Sequence, residues 1–293
     1  MAVAARAIEN RPQLGIVMML FAWLFFAFVD TGAKWLIIAG FPAFQLAFMR
    51  YAGHFAISVA LIARGGIELD RFRTTHLWQV VVRAGLLISA TILNFYALNF
   101  LPLSVTSTIM FSSPIIVCLL SWPLLGERVG PWRWFAIVLG FVGVLIVIRP
   151  FGETFHLSML LVIYNAFSLA LYSIMTRKLS GVVATDTLQF YMGALGTFAL
   201  LPFAVWSWVS PTNPLQWFVL VGLGGSAWAG HQLMTNAHGY GSASTLMPYT
   251  YSFIIYISAL SYFVFNHVPD SWTMVGATVI VVSGLIIWKR QNR

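Results

Sequence analysis

The supply of long apolar runs limits what this chain can fold into. Between charged residues, prolines and glycines, ten predominantly apolar stretches follow one another, at 13–38, 42–63, 77–100, 103–125, 132–149, 156–176, 187–209, 215–235, 242–265 and 271–288. A helix crossing a bilayer needs about 20 such residues, because hydrocarbon offers no partner to an unpaired backbone amide and the helix must satisfy its own. Ten of them take up roughly 200 residues of the 293, and the widest gap, Arg64 to His76, is too short for a domain. Composition agrees: 8% of residues are charged, against roughly 25% in a soluble domain, too few to build a water-facing surface. The sequence predicts an all-α integral membrane protein of ten transmembrane helices, with the lipid bilayer as its surroundings and no soluble catalytic domain.

Charge placement predicts orientation. The net charge of +8 does not form a patch, so no nucleic-acid partner is expected. With the N-terminus in the cytoplasm, the inner side receives Arg6, Arg11, Arg64, Arg71, Arg73, Arg128, Arg133, Arg177, Lys178, Lys289, Arg290 and Arg293, and the outer side only Lys34 and Arg149. Short cytoplasmic loops are the ones enriched in Lys and Arg, so both termini are expected in the cytoplasm of a bacterial-type inner (plasma) membrane. Arg6 and Arg11 precede the first run as in a signal peptide, but Gly15–Ile38 is too long for such a segment, and it reads as a retained span. The lone Cys118 allows no internal disulfide.

The chain also repeats itself. Ser107–Ile148 (STIMFSSP…FVGVLIVI) parallels Ser244–Trp288 (STLMPYTY…VVSGLIIW): each opens on Ser-Thr-x-Met, runs through an apolar helix, turns, and ends in a glycine-containing helix. Two five-helix repeats follow, 12–149 and 154–289. Five is odd, so the second repeat enters from the opposite side, and inverted-topology repeats are a signature of alternating-access transporters.

Several short motifs recur in a characteristic order: Lys34 on helix one, Arg50 on helix two, YALNFLPLS (96–104), SSP (112–114), LLGER (124–128) and a glycine-rich fifth helix. In these the chain resembles the EamA-type drug/metabolite transporter superfamily over essentially its whole length. The second half departs where the family repeats Gly-Glu: here FNHVPDS (265–271) stands instead. Length and aromatic content are similar to the YddG-type amino-acid exporters. That resemblance implies export of aromatic and other neutral amino acids through a central cavity lined by helices one, three, four, six, eight and nine. Nucleosides, sugar conjugates or drugs are the alternative cargo, and an intramembrane enzyme is the remote alternative.

Candidate site residues are the polar and bent positions inside spans. Asp30 is the only acid plainly within one, and an intramembrane charge should have a partner. Asp30 on helix one and Arg50 on helix two each lie about 12 Å below the same face at 1.5 Å per residue, so an Asp30–Arg50 pair is expected. Lys34, one turn further out, joins it or snorkels. The set serves either as a gate or as a lock between helices. Pro114 and Pro248 lie inside corresponding helices four and nine, and each should bend its helix at a hinge or binding site. Substrate contacts are expected from Asn94, Tyr96, Asn99, Ser112, Ser113, Tyr164, Ser168, Tyr172, His231, Gln232, Tyr249 and Tyr251. Polar groups on apolar helices must pair within the bundle or line a wet cavity. Of these, 164, 168 and 172 share one helical face. Ala136, Gly140 and Gly143 on helix five, with Gly276 and Gly284 on helix ten, mark close helix packing, either within the chain or in a homodimer; the chain is a monomer or a homodimer.

Enzyme and cofactor signals fail. GLGGSAWAG (222–230) lies inside an apolar span, and no nucleotide-binding lysine motif exists, so no ATP-driven pump is encoded. His231 and His238 have no third ligand nearby. No metal, no cofactor and no catalytic residue is expected, and the partner is a small-molecule substrate, with amino acids favoured. Glu127–Arg128 after Gly126 reads as helix-end punctuation or an inner gate. Topology is directly testable. A reporter fused after Arg293 should be cytoplasmic and one inserted at Thr212 external; an external C-terminus refutes both the orientation and the inverted repeat.

Overall fold

The computed structural model describes residues 11–64, 74–125, 130–149, 155–179, 182–240 and 246–291. Glu127 and Arg128 lie outside them. The described residues form helices and no strand: α1 (Pro12–Ile38), α2 (Ala43–Arg64), α3 (Leu77–Ala97), α4 (Leu103–Met110), α5 (Ser113–Leu125), α6 (Pro131–Ile148), α7 (Ser158–Leu179), α8 (Thr185–Trp206), α9 (Pro214–Tyr240), a 3-10 turn (Met247–Tyr251), α10 (Ser252–Phe265) and α11 (Ser271–Gln291). The fourth span is α4 with α5, and the ninth is the 3-10 turn with α10, giving ten spans in two inverted repeats of five. Span five is α6, spans six to eight are α7, α8 and α9, and span ten is α11.

Local signals explain the ends. Pro12, Pro131 and Pro214 each open a helix, where a missing N–H costs nothing. Helix α1 closes through Gly40, whose φ of +92° turns the chain so that Phe41 N–H reaches Leu36 O at 3.0 Å, a left-handed closure that a side chain would strain.

Packing between spans obeys the repeat. Span one packs on span eight and span three on span six; exchanging the halves turns one pair into the other. Spans four and six, and nine and one, form a second such couple. Spans two and seven, four and nine, and five and ten pair with their own counterparts. These principal contacts exchange with the halves, as a two-fold axis in the membrane plane requires, while lesser ones such as span two on span three are matched unequally.

The same exchange holds at single residues. In the aligned repeats Ala136 corresponds to Gly276 and Gly143 to Ser283. Ser283 Oγ donates to Ala136 O at 2.6 Å, and a Cβ on Gly143 would lie 3.0 Å from Gly276 O. The two contacts are equivalent under exchange of the halves, one made from span ten to span five and the other from span five to span ten. The small residues of helices five and ten therefore serve packing within the chain. Spans two and eight touch as closely: a Cβ on Gly53 would sit 2.8 Å from the Gly224 Cα.

The helical breaks correct one expectation. Neither Pro114 nor Pro248 bends a continuous α-helix. Span four is broken at Phe111–Ser112, and Pro114 stands in the first turn of α5, while Pro248 stands in the 3-10 turn ahead of α10. Proline disfavours helical geometry at the residue before it and cannot donate to the carbonyl four residues back; span four stops and restarts, and the described part of span nine opens as a 3-10 turn that passes directly into α10. Ser112 Oγ covers the break by donating to Ile109 O at 2.7 Å.

The departure in the second repeat has a local role. Asp270 accepts from Thr273 N–H at 2.8 Å, capping α11, and from Arg149 Nη2 at 2.5 Å, tying the end of span five to the start of span ten. Burial alone would raise the Asp270 carboxyl, but the hydrogen bonds from Thr273 and Arg149 outweigh it and hold the group below its ordinary value. The tie is therefore present at neutral pH and lost as pH falls through that lowered value; with both side chains partly exposed, it contributes little. Overpacking is the sharper test. Gly276→Ala should destabilise by about 1–3 kcal/mol, whereas Gly222→Ala, with open space around it, should not. Equal melting temperatures for the two variants refute the tight five–ten contact.

Candidate functional site

Two cations define the interior. Arg50 on α2 is 8% exposed and Arg83 on α3 is 2% exposed. Arg50 Nη1 donates to Thr91 Oγ1 and, at 3.3 Å, to Tyr51 Oη, while Nη2 donates to His231 Nε2 at 3.4 Å. Tyr51 Oη passes its own proton to Thr91 Oγ1 at 3.0 Å, and Thr91 donates to Leu87 O at 2.8 Å. Arg83 Nε donates to Thr176 Oγ1 and Nη2 to Tyr172 Oη, both at 2.7 Å, with the guanidinium lying 4.4 Å from the Tyr172 ring centre. The two groups are joined through rings, because His231 lies edge-on to Tyr172 at 6.3 Å and to His54 at 5.9 Å. The cluster thus spans α2, α3, α7 and α9, members of both repeats.

The expected Asp30–Arg50 ion pair is not made. The Asp30 carboxylate instead accepts from Asn94 Nδ2 at 3.5 Å, one turn along α3 from the Thr91 that holds Arg50. Matched depth was a sound inference, but depth does not fix azimuth. Both side chains turn to α3, where neutral acceptors capture the guanidinium. Lys34 donates to Leu98 O and, at 3.1 Å, to Leu101 O, closing the turn between spans three and four.

An aromatic group adjoins the cluster. Trp23 on α1 lies edge-on to Phe26 and to Phe253, each at 5.5 Å, and Phe111 lies 5.6 Å from Tyr251 and 5.8 Å from Phe253. Phe111 occupies the break in span four, and Tyr251 and Phe253 flank the 3-10 junction of span nine. The breaks therefore deliver aromatic rings to the middle of the bundle. Phe26 touches His231 at 4.9 Å, so the apolar wall and the cationic cluster share an edge. The indole Nε1 of Trp23 and the Tyr251 hydroxyl are buried without partners.

Sequence candidates distribute unevenly over this arrangement. Asn94, Tyr172 and His231 reach the cluster, and Tyr251 reaches the aromatic group. The 164, 168, 172 face does something else first: Tyr164 bonds Ser89, Ser168 bonds Leu86 O and Tyr172 bonds Arg83, a ladder that docks α7 along α3. Asn99 caps the end of α3 through Tyr96 O at 2.9 Å, while Tyr96 is half exposed against Phe100. Ser112 and Ser113 are buried at the span-four break, and Gln232 and Tyr249 are half-buried outside the bonds described. Arg83, Tyr51, His54, Thr91, Thr176 and Trp23 were not among the sequence candidates. The signal was there for Arg83, an arginine inside a span, which marks a functional position by default.

An enclosed aromatic and cationic site shared by inverted repeats is the plan of a carrier that offers one site to either side in turn. The chain belongs to the EamA-like transporter family, whose profile matches residues 13–149 and 156–289. It is a multi-pass membrane transporter of small molecules and not an enzyme. It is similar to a riboflavin transporter of Vibrio cholerae, at 29% identity over 98% of this chain and 97% of that one. It is also similar to an S-adenosylmethionine uptake transporter of Rickettsia bellii, at 26% over 84% and 83%, and to a pseudopaline exporter of Pseudomonas aeruginosa, at 26% over 84% and 86%. One crystal structure shares the fold with a TM-score of 0.68 at 18% identity, covering 97% of this chain and all of the other.

Thr91 is the shared acceptor of the cluster. Thr91→Val keeps the shape and strands the buried guanidinium, so it should cost about 1.5–3 kcal/mol in detergent-solubilised protein, and Thr91→Ser should restore most of it. An unchanged melting temperature for Thr91→Val refutes this role.

Proposed function

We propose that this transporter carries a small metabolite with a planar aromatic body and a polar end, held at the junction of the two clusters and released by alternating access. The contact of Phe26 with His231 supports this reading, because it sets an apolar ring wall against hydrogen-bonding cations in one enclosed place. The unpartnered Trp23 Nε1 adds a polar contact along the edge of such a ring. Two full-length relatives, from Vibrio cholerae and Rhizobium johnstonii, are riboflavin transporters, so flavins are the first substrates to test. Aromatic amino acids fit the same description, and the export of these and other neutral amino acids that the sequence suggests is the second reading. The interrupted spans four and nine, at Pro114 and Pro248, serve as the hinges, since they pack on each other and carry one wall of the site.

Flux decides between the readings. Proteoliposomes should take up labelled riboflavin or tryptophan above protein-free vesicles, and Phe26→Ala and His231→Ala should each slow the preferred substrate about tenfold or more, one contact of about 1.4 kcal/mol. Uptake of neither compound, or uptake unaffected by both changes, refutes the proposal.

A further inference from the structure

The acceptors around Arg50 and Arg83 are all neutral: two hydroxyls and an imidazole nitrogen for the first, two hydroxyls for the second. Arginine stays charged at any depth, so two positive charges are enclosed here. Among the described residues the one carboxylate near them is Asp30, committed to Asn94. One negative charge for two positive leaves the cluster with excess positive charge, and an uncompensated charge inside a bundle is expensive.

The free atoms point the same way. Arg50 Nε, Arg83 Nη1, His231 Nδ1 and His54 Nε2 are buried without partners, on side chains 8%, 2%, 4% and 1% exposed. Because His231 Nε2 accepts from Arg50, a neutral His231 carries its proton on Nδ1. Three of the four free groups are therefore donors, and a set of free donors around surplus positive charge matches an oxygen anion.

The groups also stand at two depths. Arg50 is bound at Thr91 and Arg83 lies eight residues earlier on the same helix, about 12 Å along its axis, with His231 and Tyr172 between them.

We propose that the polar end of the substrate is anionic, a carboxylate or a phosphate, received by the guanidinium groups of Arg50 and Arg83 as two stations along the path. This rests on the transport reading above and narrows its substrate class. Fork-shaped guanidinium donors suit both oxygen anions.

Matched pairs test it: riboflavin against flavin mononucleotide for phosphate, and N-acetyltryptophan amide against N-acetyltryptophan for carboxylate, each bound to purified wild-type protein. The acid of at least one pair should bind about tenfold more tightly or better. That preference should vanish in Arg83→Gln and survive in Arg83→Lys. A third arm needs no ring: inorganic phosphate, at ionic strength matched with chloride, should raise the wild-type melting temperature and not that of Arg83→Gln. Because the wild-type comparison needs no variant, misfolding of Arg83→Gln does not rescue the idea. Ring compounds bound without acid preference overturn the inference and leave the transport reading standing. A phosphate effect without ring binding supports the anion site and removes the planar-ring reading. Absence of both ring binding and a phosphate effect overturns the anion site.

Discussion

A guanidinium taken into the hydrocarbon region keeps its charge, so the bundle has to be organised around it. Histidine or a carboxylic acid can shed its charge when buried; arginine cannot. Arg50 and Arg83 therefore need several oriented acceptors each, which Arg50 finds on α2, α3 and α9 and Arg83 finds across the bundle on α7. Thr91 and Tyr51 come from the first repeat, Tyr172, Thr176 and His231 from the second. Meeting that demand fixes the azimuth of α2, α3, α7 and α9 against one another. The apolar exteriors of these helices contribute little to such specificity, since lipid and leucine are alike to a leucine. Close approach comes from glycine instead, at Gly53 and Gly224 between spans two and eight and at Gly143 and Gly276 between spans five and ten.

Inversion of the repeat places the irregular segments. A span that is its own partner under the exchange of halves lies at the axis, and spans four and nine are such a pair. A broken helix exposes backbone groups, which can be tolerated at membrane depth only inside protein or beside a wet site. At the axis it is enclosed by both repeats. The serine at the break answers part of the problem locally, as Ser112 does for Ile109 O. Of the rings at these segments, Phe111 and Phe253 meet Trp23, and Tyr251 packs on Phe111 with its hydroxyl against Gly284 of span ten.

Much of this was legible in the sequence because it is one-dimensional. Hydropathy runs gave ten spans with ends within a few residues for most, and odd repeat length gave the inversion. Span eight, drawn to 235, is longer in the structure: the helix runs on to Tyr240, where Ala237 packs with Met19 and Leu246. The site was less legible because it depends on azimuth. Depth along a helix can be counted, but the direction in which Asp30 and Arg50 turn is decided by Asn94 and Thr91 on a third helix. Likewise the shared face of Tyr164, Ser168 and Tyr172 was correctly drawn, yet sequence cannot say whether a polar face meets a ligand or the next helix. Here two of its three members meet α3 alone. Arg83 was overlooked for the opposite reason: with no acid at its depth it offered no pairing to predict, and that absence of a counter-charge is what makes it informative.

The two halves of the site differ mechanically, and that difference bears on how a carrier of this design would work. The cationic cluster sits on continuous helices cross-linked by hydrogen bonds, so moving Arg50 means breaking charge-assisted contacts to α3 and α9 at once, and moving Arg83 means breaking two to α7. The aromatic wall is carried partly by continuous α1, through Trp23 and Phe26, and partly by spans four and nine, through Phe111, Tyr251 and Phe253, held by ring contacts that are weak singly and tolerant of sliding. In the proposed mechanism a substrate bound to both couples a stiff element to a compliant one. Its polar end is registered against α2, α3, α7 and α9, while its ring follows spans four and nine. A ligand can shift an equilibrium between two arrangements only by binding one better than the other. A molecule that engages the cations alone would bind without selecting any position of the segmented spans. One that also fills the aromatic wall would distinguish the arrangements, because spans four and nine are the proposed moving part of that wall. Selectivity for turnover would then reside in the rings, and affinity in the arginines.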